Sequence, residues 1–430
     1  MGRRKAKQNN LWMTAEEISK PASHPFYAKV NALLEECRFD AKAEQLCQRF
    51  YKPVKGRPSI TPGVYFRALL VGFCEGIDSE RGIAWRLADS LSMREFLGFQ
   101  LSDQTPDHST LSRTRRLLPV ETHRAVFRWF VWTLGAKGLL NGQTVGIDAT
   151  MRSIVRRDTG AKYAEYLKGL AAAEGLENPT PEELARLDRK RKKRTSNKDW
   201  KSPADPDARI AKMKDGRTHM AHKAEHAVDL NSGALVAVTL QAADLGDTTT
   251  VQSTLQEAKT NVELLSESGM QDVVADKGYH SGAVLVAVSG AEVQACIAEP
   301  ERGPREWSGR EAERDLTYEN RARVRSEHGR RLLKLRGELV ERSFAHMYET
   351  GAMRRTHLRG RENILKRLLI HAAAFNIALL VRKLYGLGKP RTLPGGAQEL
   401  WDALLSLWIA LSERYEAENA ELDALAGFAA

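Results

Sequence analysis

Three acidic residues stand where the chain pattern presents them to one another. Asp148 closes the β-branched run Thr144-Val-Gly-Ile-Asp148, Asp276 closes the apolar run Asp272-Val-Val-Ala-Asp276, and Glu341 lies in a helix-patterned segment. Strands of one sheet bring their carboxyl ends side by side whatever their distance in sequence, so the three acids are predicted to meet. Carboxylate oxygens are natural ligands of Mg2+, which takes one or two from protein and fills its octahedron with water and substrate phosphate. Two such ions about 4 Å apart activate an attacking hydroxyl and stabilise the departing oxygen of a phosphodiester displacement. The set therefore predicts phosphodiester chemistry dependent on Mg2+ or Mn2+, with two ions. Taken singly, each acid has a plainer role: a strand-end aspartate caps a helix or turn, and Glu341 beside Arg342 suits a salt bridge. Only the ordered set points to catalysis.

Groups able to grip phosphate lie beside these acids. Lys277, Tyr279 and His280 follow Asp276 directly, and Arg354, Arg355 and Arg359 follow Glu341. Arginine grips phosphate through two parallel hydrogen bonds, whereas lysine acts as a point charge. His222 and Lys223 also stand where a strand would turn them toward the site. Across the chain, 66 Lys and Arg outnumber 55 Asp and Glu, a formal charge of +11 that favours a polyanionic partner. The run Arg189-Lys-Arg-Lys-Lys-Arg194 is a solvated face or a further set of phosphate contacts.

The elements that must position these residues fall into two textures. From about residue 25 to 140 the pattern is helical, with almost no strand alternation. Thr61-Pro62 is an N-cap followed by proline at the first helical position. Helices over 61–75 and 79–89, then a basic one from Asp107 carrying Arg113, Arg115 and Arg116, resemble a helix-turn-helix in outline. From Gln143 strands begin. A charged insertion at about 151–215 interrupts them, and strands return over 219–230 and 234–241 around Asn231-Ser-Gly233, a hairpin signal. A helix from Asp247 to about 266, a strand ending on Asp276, a helix over 282–288 and a strand over 293–298 follow. That order predicts a mixed α/β sheet with helices on its faces. Residues 299–329, rich in Arg and Glu without apolar periodicity, read as an exposed connector. Helices are predicted over 331–349 and Arg361–Tyr385, the latter ended by Gly386 and Gly388, and over 398–425 for core or dimer contact.

Four organisational units result: a basic flexible N-terminus (1–24), a helical DNA-binding domain (25–140), a catalytic domain (141–386) and a C-terminal helical segment (387–430). The four cysteines lack a Cys-x-x-Cys pair and read as buried thiols of a reducing compartment. The first residues lack the apolar core of a secretory signal. The apolar stretches 368–380 and 400–411 are too short to span a bilayer. A soluble, cytoplasmic, nucleoid-associated protein without a membrane partner is the expectation.

At the level of motifs the chain is similar to the DDE transposases of bacterial insertion sequences, in the group around insertion sequence five and its relative numbered eleven-eighty-two. Val145-Gly-Ile-Asp148-Ala-Thr resembles the family's first catalytic strand and Val274-Ala-Asp276-Lys-Gly-Tyr-His-Ser its second motif. Val340-Glu341-Arg-Ser-Phe344, with Gly351-Ala-Met-Arg354-Arg355-Thr-His-Leu-Arg359-Gly360, is similar to the third. Upstream, Gly56-Arg-Pro-Ser-Ile and Pro106-Asp-His-Ser-Thr-Leu-Ser-Arg113 look like the helical N-terminal domain of that group. The resemblance implies an RNase H-like fold, with both aspartates on strands and the glutamate on a helix. It also implies cleavage of double-stranded DNA at terminal inverted repeats, strand transfer into target DNA, and a homodimer. Many relatives carry glycine and lysine where Ala345 and Tyr348 stand here, so Arg354 or Arg355 would have to supply the missing charge. Two alternatives remain: a DNA-binding regulator derived from such an enzyme without its catalysis, and a nuclease that cuts without joining.

Overall fold

The computed structural model describes residues 24–51, 59–151, 154–155, 160–190, 197, 202, 205–212, 218–265, 268–301, 303 and 305–387. The expected basic tail, the helix over 398–425 and most of the basic run, Arg191 to Arg194, lie outside the described residues.

The β-branched run becomes strand β1 (Thr144–Met151) in the middle of a sheet of six described strands. On one side β4 (Thr218–Asp229) runs antiparallel to it, and β4 in turn pairs with β5 (Leu235–Ala242) and the short β3 (Arg209–Lys212). The β4–β5 turn is the expected one, with Gly233 at φ 75°, where a side chain would be strained. On the other side β6 (Asp272–Ala275) and then β7 (Gln294–Ile297) run parallel to β1. This mixed order, antiparallel on one flank and parallel on the other, is the RNase H-like sheet that the resemblance implied. Apart from it, β2 (Ile154–Val155) pairs with β8 (Arg355–Thr356).

Ahead of the sheet stand α1 (Pro25–Glu36), α2 (Phe39–Cys47), α3 (Pro62–Cys74), α4 (Glu80–Asp89), α5 (Leu91–Phe96), α6 (His108–Leu117) and α7 (Val120–Ala136). Caps set several of their starts: Thr61 accepts from the Val64 amide, Ser79 from Gly82 and Asp107 from Thr110. The insertion holds α8 (Gly160–Ala173) and α9 (Pro181–Lys190), which share a small apolar cluster of Leu167, Ala171 and Leu184. Next come α10 (Asp247–Val262) and α11 (Gly282–Gly290), then α12 (Glu311–Arg325), α13 (Glu327–Ala345) and α14 (Arg361–Tyr385).

The sheet carries α13 on one face and α10 on the other. Alternation along β4 shows this, because Lys223 and Glu225 reach Thr250 on α10 while His226 reaches Ser343 on α13. The longest helix, α14, packs on α3, α7 and β5, so one apolar cluster runs from the N-terminal helices into the sheet. Inside that cluster Asn376 pairs with both backbone groups of Leu235 at 2.8 Å, which satisfies its buried amide. The expectation that the apolar stretch at 368–380 is too short to span a bilayer is corrected: α14 is long and apolar enough to cross a membrane, but 89% of its apolar window is buried in protein, as in a core helix. The cysteines are unpaired, and Cys47, Cys74 and Cys296 are buried as expected.

A further expectation is overturned. Residues 311–325 are a helix rather than connector, despite their lack of an apolar stripe. A polar anchor does the work of that stripe: buried Asn320 accepts from the Ile297 amide at 2.9 Å and donates to its carbonyl at 2.8 Å. The side chain thereby satisfies the outer backbone groups of edge strand β7, which would otherwise stay open to pairing.

Candidate active site

Strand register alone brings the two aspartates together. The parallel pairing of β1 with β6 ends at Ile147 opposite Ala275; Asp148 comes next within β1, which runs on to Met151 rather than closing on the aspartate as expected, and Asp276 is the first residue past β6. Neighbouring strands lie about 4.8 Å apart, so the carboxyls emerge side by side at one edge of the sheet.

Each is held by defined donors. Asp148 Oδ1 accepts from the Ala149 amide at 2.7 Å, and its Oδ2 lies 2.9 Å from Arg336 Nη2. Burial pushes the Asp148 carboxyl up from its ordinary value; Arg336 and the Ala149 bond oppose this, and the negative charges of Asp276 and Asp247 add to it. Asp276 caps the short turn Lys277–Tyr279, with Oδ1 accepting from the Gly278 amide at 2.8 Å. A Cβ on Gly278 would stand 2.8 Å from Asp247 Oδ2 and 3.1 Å from Asp276 Oδ1. A side chain there would push one of these two carboxylates aside.

Asp247, at the start of α10, is thus a third acid near the pair, one that sequence reading missed. Its partner is Lys223, whose Nζ lies 2.5 Å from Asp247 Oδ1 and 3.3 Å from Glu225 Oε1, with 1% of the side chain exposed. Arg336 was also missed, although it touches Asp148 directly. The available signal was its phase on α13: it falls on the stripe that Leu332, Val340, Ser343 and Phe344 lay against the sheet. Gly146 lets that stripe approach, since a Cβ there would be 3.1 Å from Arg336 Cγ and 3.2 Å from Val340 Cγ2.

Glu341 is exposed, and no described residue is hydrogen-bonded or ion-paired to it. Its flank of α13 can be derived. Leu339 points to the hairpin end of the sheet, 3.5 Å from where a Cβ of Gly233 would be. Phe344 lies on the opposite flank, its ring stacked at 4.1 Å on His226, the cross-strand partner of Asp148. At about 100° per residue, Glu341 belongs to the Phe344 flank, the side nearer the aspartates. Among the described residues no three His, Cys, Asp or Glu side chains stand grouped to hold a metal ion. The neighbouring aspartates by themselves fit the one or two protein carboxylates that a hard divalent cation uses.

The expected phosphate contacts divide. Lys277, Arg113, Arg116, Arg355 and Arg359 are exposed, and Arg354 is exposed but paired with Glu349. Arg115 is committed to Glu80 on α4, which fastens α6 to that helix. Tyr279 and His280 are corrected: both are buried, so neither presents a surface to DNA. The ring of Tyr279 turns inward, with its hydroxyl 3.5 Å from Glu225, and burial together with that carboxylate pushes its phenol far up. His222 is buried too, 2.9 Å from Asp205, and Lys223 serves Asp247 rather than a phosphate.

An RNase H-like sheet with paired aspartates at its parallel-strand edge defines a class of polynucleotidyl-transfer enzymes. Comparison with protein families narrows this: a transposase domain of otherwise unassigned role matches residues 14–117, and the transposase DDE domain matches residues 179–377. The chain belongs to the DDE-type transposases of the insertion-sequence kind. That family binds DNA and generally uses divalent metal ions. Neither match selects a subgroup within it, and Asp148 lies upstream of the matched DDE span. No curated protein and no solved structure matches the chain significantly.

Proposed function

We propose that the protein cuts DNA at the ends of its insertion element and joins the freed ends to target DNA, with Asp148, Asp276 and Glu341 as the acids that hold divalent metal. The observation that carries this reading is the register of β1 and β6, which sets Asp148 beside Asp276 at the sheet edge under the helix that bears Glu341. Two Mg2+ or Mn2+ ions bound there would activate the attacking oxygen and stabilise the leaving one.

The chain's own groups do the rest. Asp148 presents its carboxylate oxygens from within β1 and Asp276 from the residue after β6, and Glu341 extends from its flank of α13 to complete the set. Lys277, Arg355 and Arg359 take phosphates next to the scissile bond, while Arg113 and Arg116 on α6 hold duplex farther away. In the first step water attacks the phosphorus, the P–O3′ bond breaks and a 3′-hydroxyl is released. In the second, that hydroxyl attacks a target phosphodiester and displaces another 3′ oxygen. Two protomers, each engaging one inverted repeat, would bring the ends together.

The test mixes the protein with DNA carrying the flanking repeats and Mg2+, then maps breaks and joints. Asp148→Asn, Asp276→Asn and Glu341→Gln should each abolish cleavage and retain end binding. Cutting at the wild-type rate by any one removes that residue from the set. Binding without breaks by the wild-type chain would favour the regulator instead.

A further inference from the structure

We propose that Arg336 is a positioning residue for Asp148: it clamps the carboxylate in the rotamer that receives a divalent cation and ties that carboxylate to the helix carrying Glu341. The inference rests on the reading that Asp148 binds such a cation.

The guanidinium is buried, with the residue 8% exposed. Its Nε and Nη2 both donate to the Ile147 carbonyl at 3.1 Å, so it is anchored to the backbone of β1. The same Nη2 then reaches Asp148 Oδ2 at 2.9 Å. The other oxygen, Oδ1, is held by the Ala149 amide at 2.7 Å. One bond to each oxygen leaves each a further lone pair. The carboxyl is therefore fixed from both sides and can still accept a ligand on the side away from its clamps.

Packing alone does not call for an arginine here. Leu230 and Val340 already cover Gly146 with apolar atoms, and a methionine would fill the remaining space without burying a charge. Nor can lysine replace it, because a single ammonium lacks the planar fork that serves the Ile147 carbonyl and the carboxylate together. Since Arg336 precedes Glu341 by little more than one helical turn on α13, the contact that orients one acid also sets the distance from which the other must reach.

The experiment measures Mn2+ binding to the full chain by the electron paramagnetic resonance of free Mn2+. Groups that orient a metal ligand typically contribute 10–100-fold in affinity. Arg336→Met and Arg336→Lys should weaken Mn2+ binding by about 10–100-fold, with an unchanged circular dichroism spectrum. Arg342→Met, which removes an exposed charge from the same helix, should not. Millimolar guanidinium, far below denaturing concentrations, should restore affinity to Arg336→Ala but not to Asp148→Asn. Wild-type or tighter binding by Arg336→Met, while Asp148→Asn binds poorly, overturns the clamp and leaves the assignment of Asp148 standing. Wild-type binding by Asp148→Asn overturns both.

Discussion

Replacing Lys223 by methionine should destabilise the protein severely, because that lysine is the buried cation beneath the acidic edge. Its Nζ lies 3.3 Å from Glu225 Oε1, 2.8 Å from Thr250 Oγ1 and 3.3 Å from the Leu245 carbonyl. Glu225 has no exposed surface, and its other partners are the hydroxyls of Thr250, Thr254 and Tyr279. Attraction between unit charges at that distance is about 5 kcal/mol at an effective dielectric of 20. Removing one member of a buried pair costs about 3–5 kcal/mol, since a desolvated charge is left behind. Asp247, the other carboxylate on Lys223, is 37% exposed, so solvent screens its share and it adds little. Lys223→Met is therefore expected to lose about 3–5 kcal/mol in urea unfolding followed by circular dichroism. Lys223→Met combined with Glu225→Gln removes both charges and should recover most of the loss. A single-variant loss below about 1 kcal/mol, or a double variant no more stable than the single one, refutes the reasoning.

Other consequences can be measured in the same way. Gly278→Ala should abolish Mg2+-dependent cleavage while shifting the urea midpoint little, because its methyl would displace Asp247 and Asp276 at the exposed turn rather than disturb the core. Asn320→Ala leaves the Ile297 amide and carbonyl unpaired and should cost about 1–3 kcal/mol for each group left buried; an unchanged midpoint would show that water takes over both. Burial lowers His123 and His226 from 6.5 to about 3, and His371 well below 6.5, so all three are neutral when folded. Acid therefore favours the unfolded chain, which binds these protons first. The stability that His123 and His226 contribute by staying neutral is full above pH 6.5 and is lost toward pH 3 by about 1.4 kcal/mol per pH unit for each of the two, with His371 acting in the same direction. Unfolding measured from neutral to acid pH should show this slope, and His226→Phe should flatten it.

What was legible in the sequence were features that a local signal encodes. The αL glycine Gly386 stops α14, and the two ends of the helix coincide with the expected ones, Arg361 and Tyr385. Asn231-Ser-Gly233 marked the hairpin, and the acids that follow apolar runs marked where Asp148 and Asp276 come together, although Asp148 lies within β1 and not at its end. Helix α12 was missed because its attachments are largely polar, with Asn320 and Arg323 on the backbone of β7 and Arg321 on Glu299, contacts without apolar periodicity. Asp247, Lys223 and Arg336 were missed, or given other roles, because each acquires its meaning from pairing across the sheet. Lys223 belongs to the acidic edge only once β4 is aligned with β1 and α10 laid over it. Tyr279 and His280 follow Asp276 directly, and proximity in sequence said nothing about which way a tight turn would face them. Glu341 was placed on a helix, and its flank follows only from what Leu339 and Phe344 touch.

The shared packing of α14 bears on how such a protein can diversify. Because this helix is the common wall of the N-terminal bundle and the sheet, neither half keeps a finished surface when cut from the other. A fragment beginning at β1 would expose the side of α14 that α3 and α7 now cover, and it should aggregate. Under the proposed function, new DNA preferences would arise by substitution on the exposed side of α6, where Arg113 and Arg116 lie, with the wall left as it is.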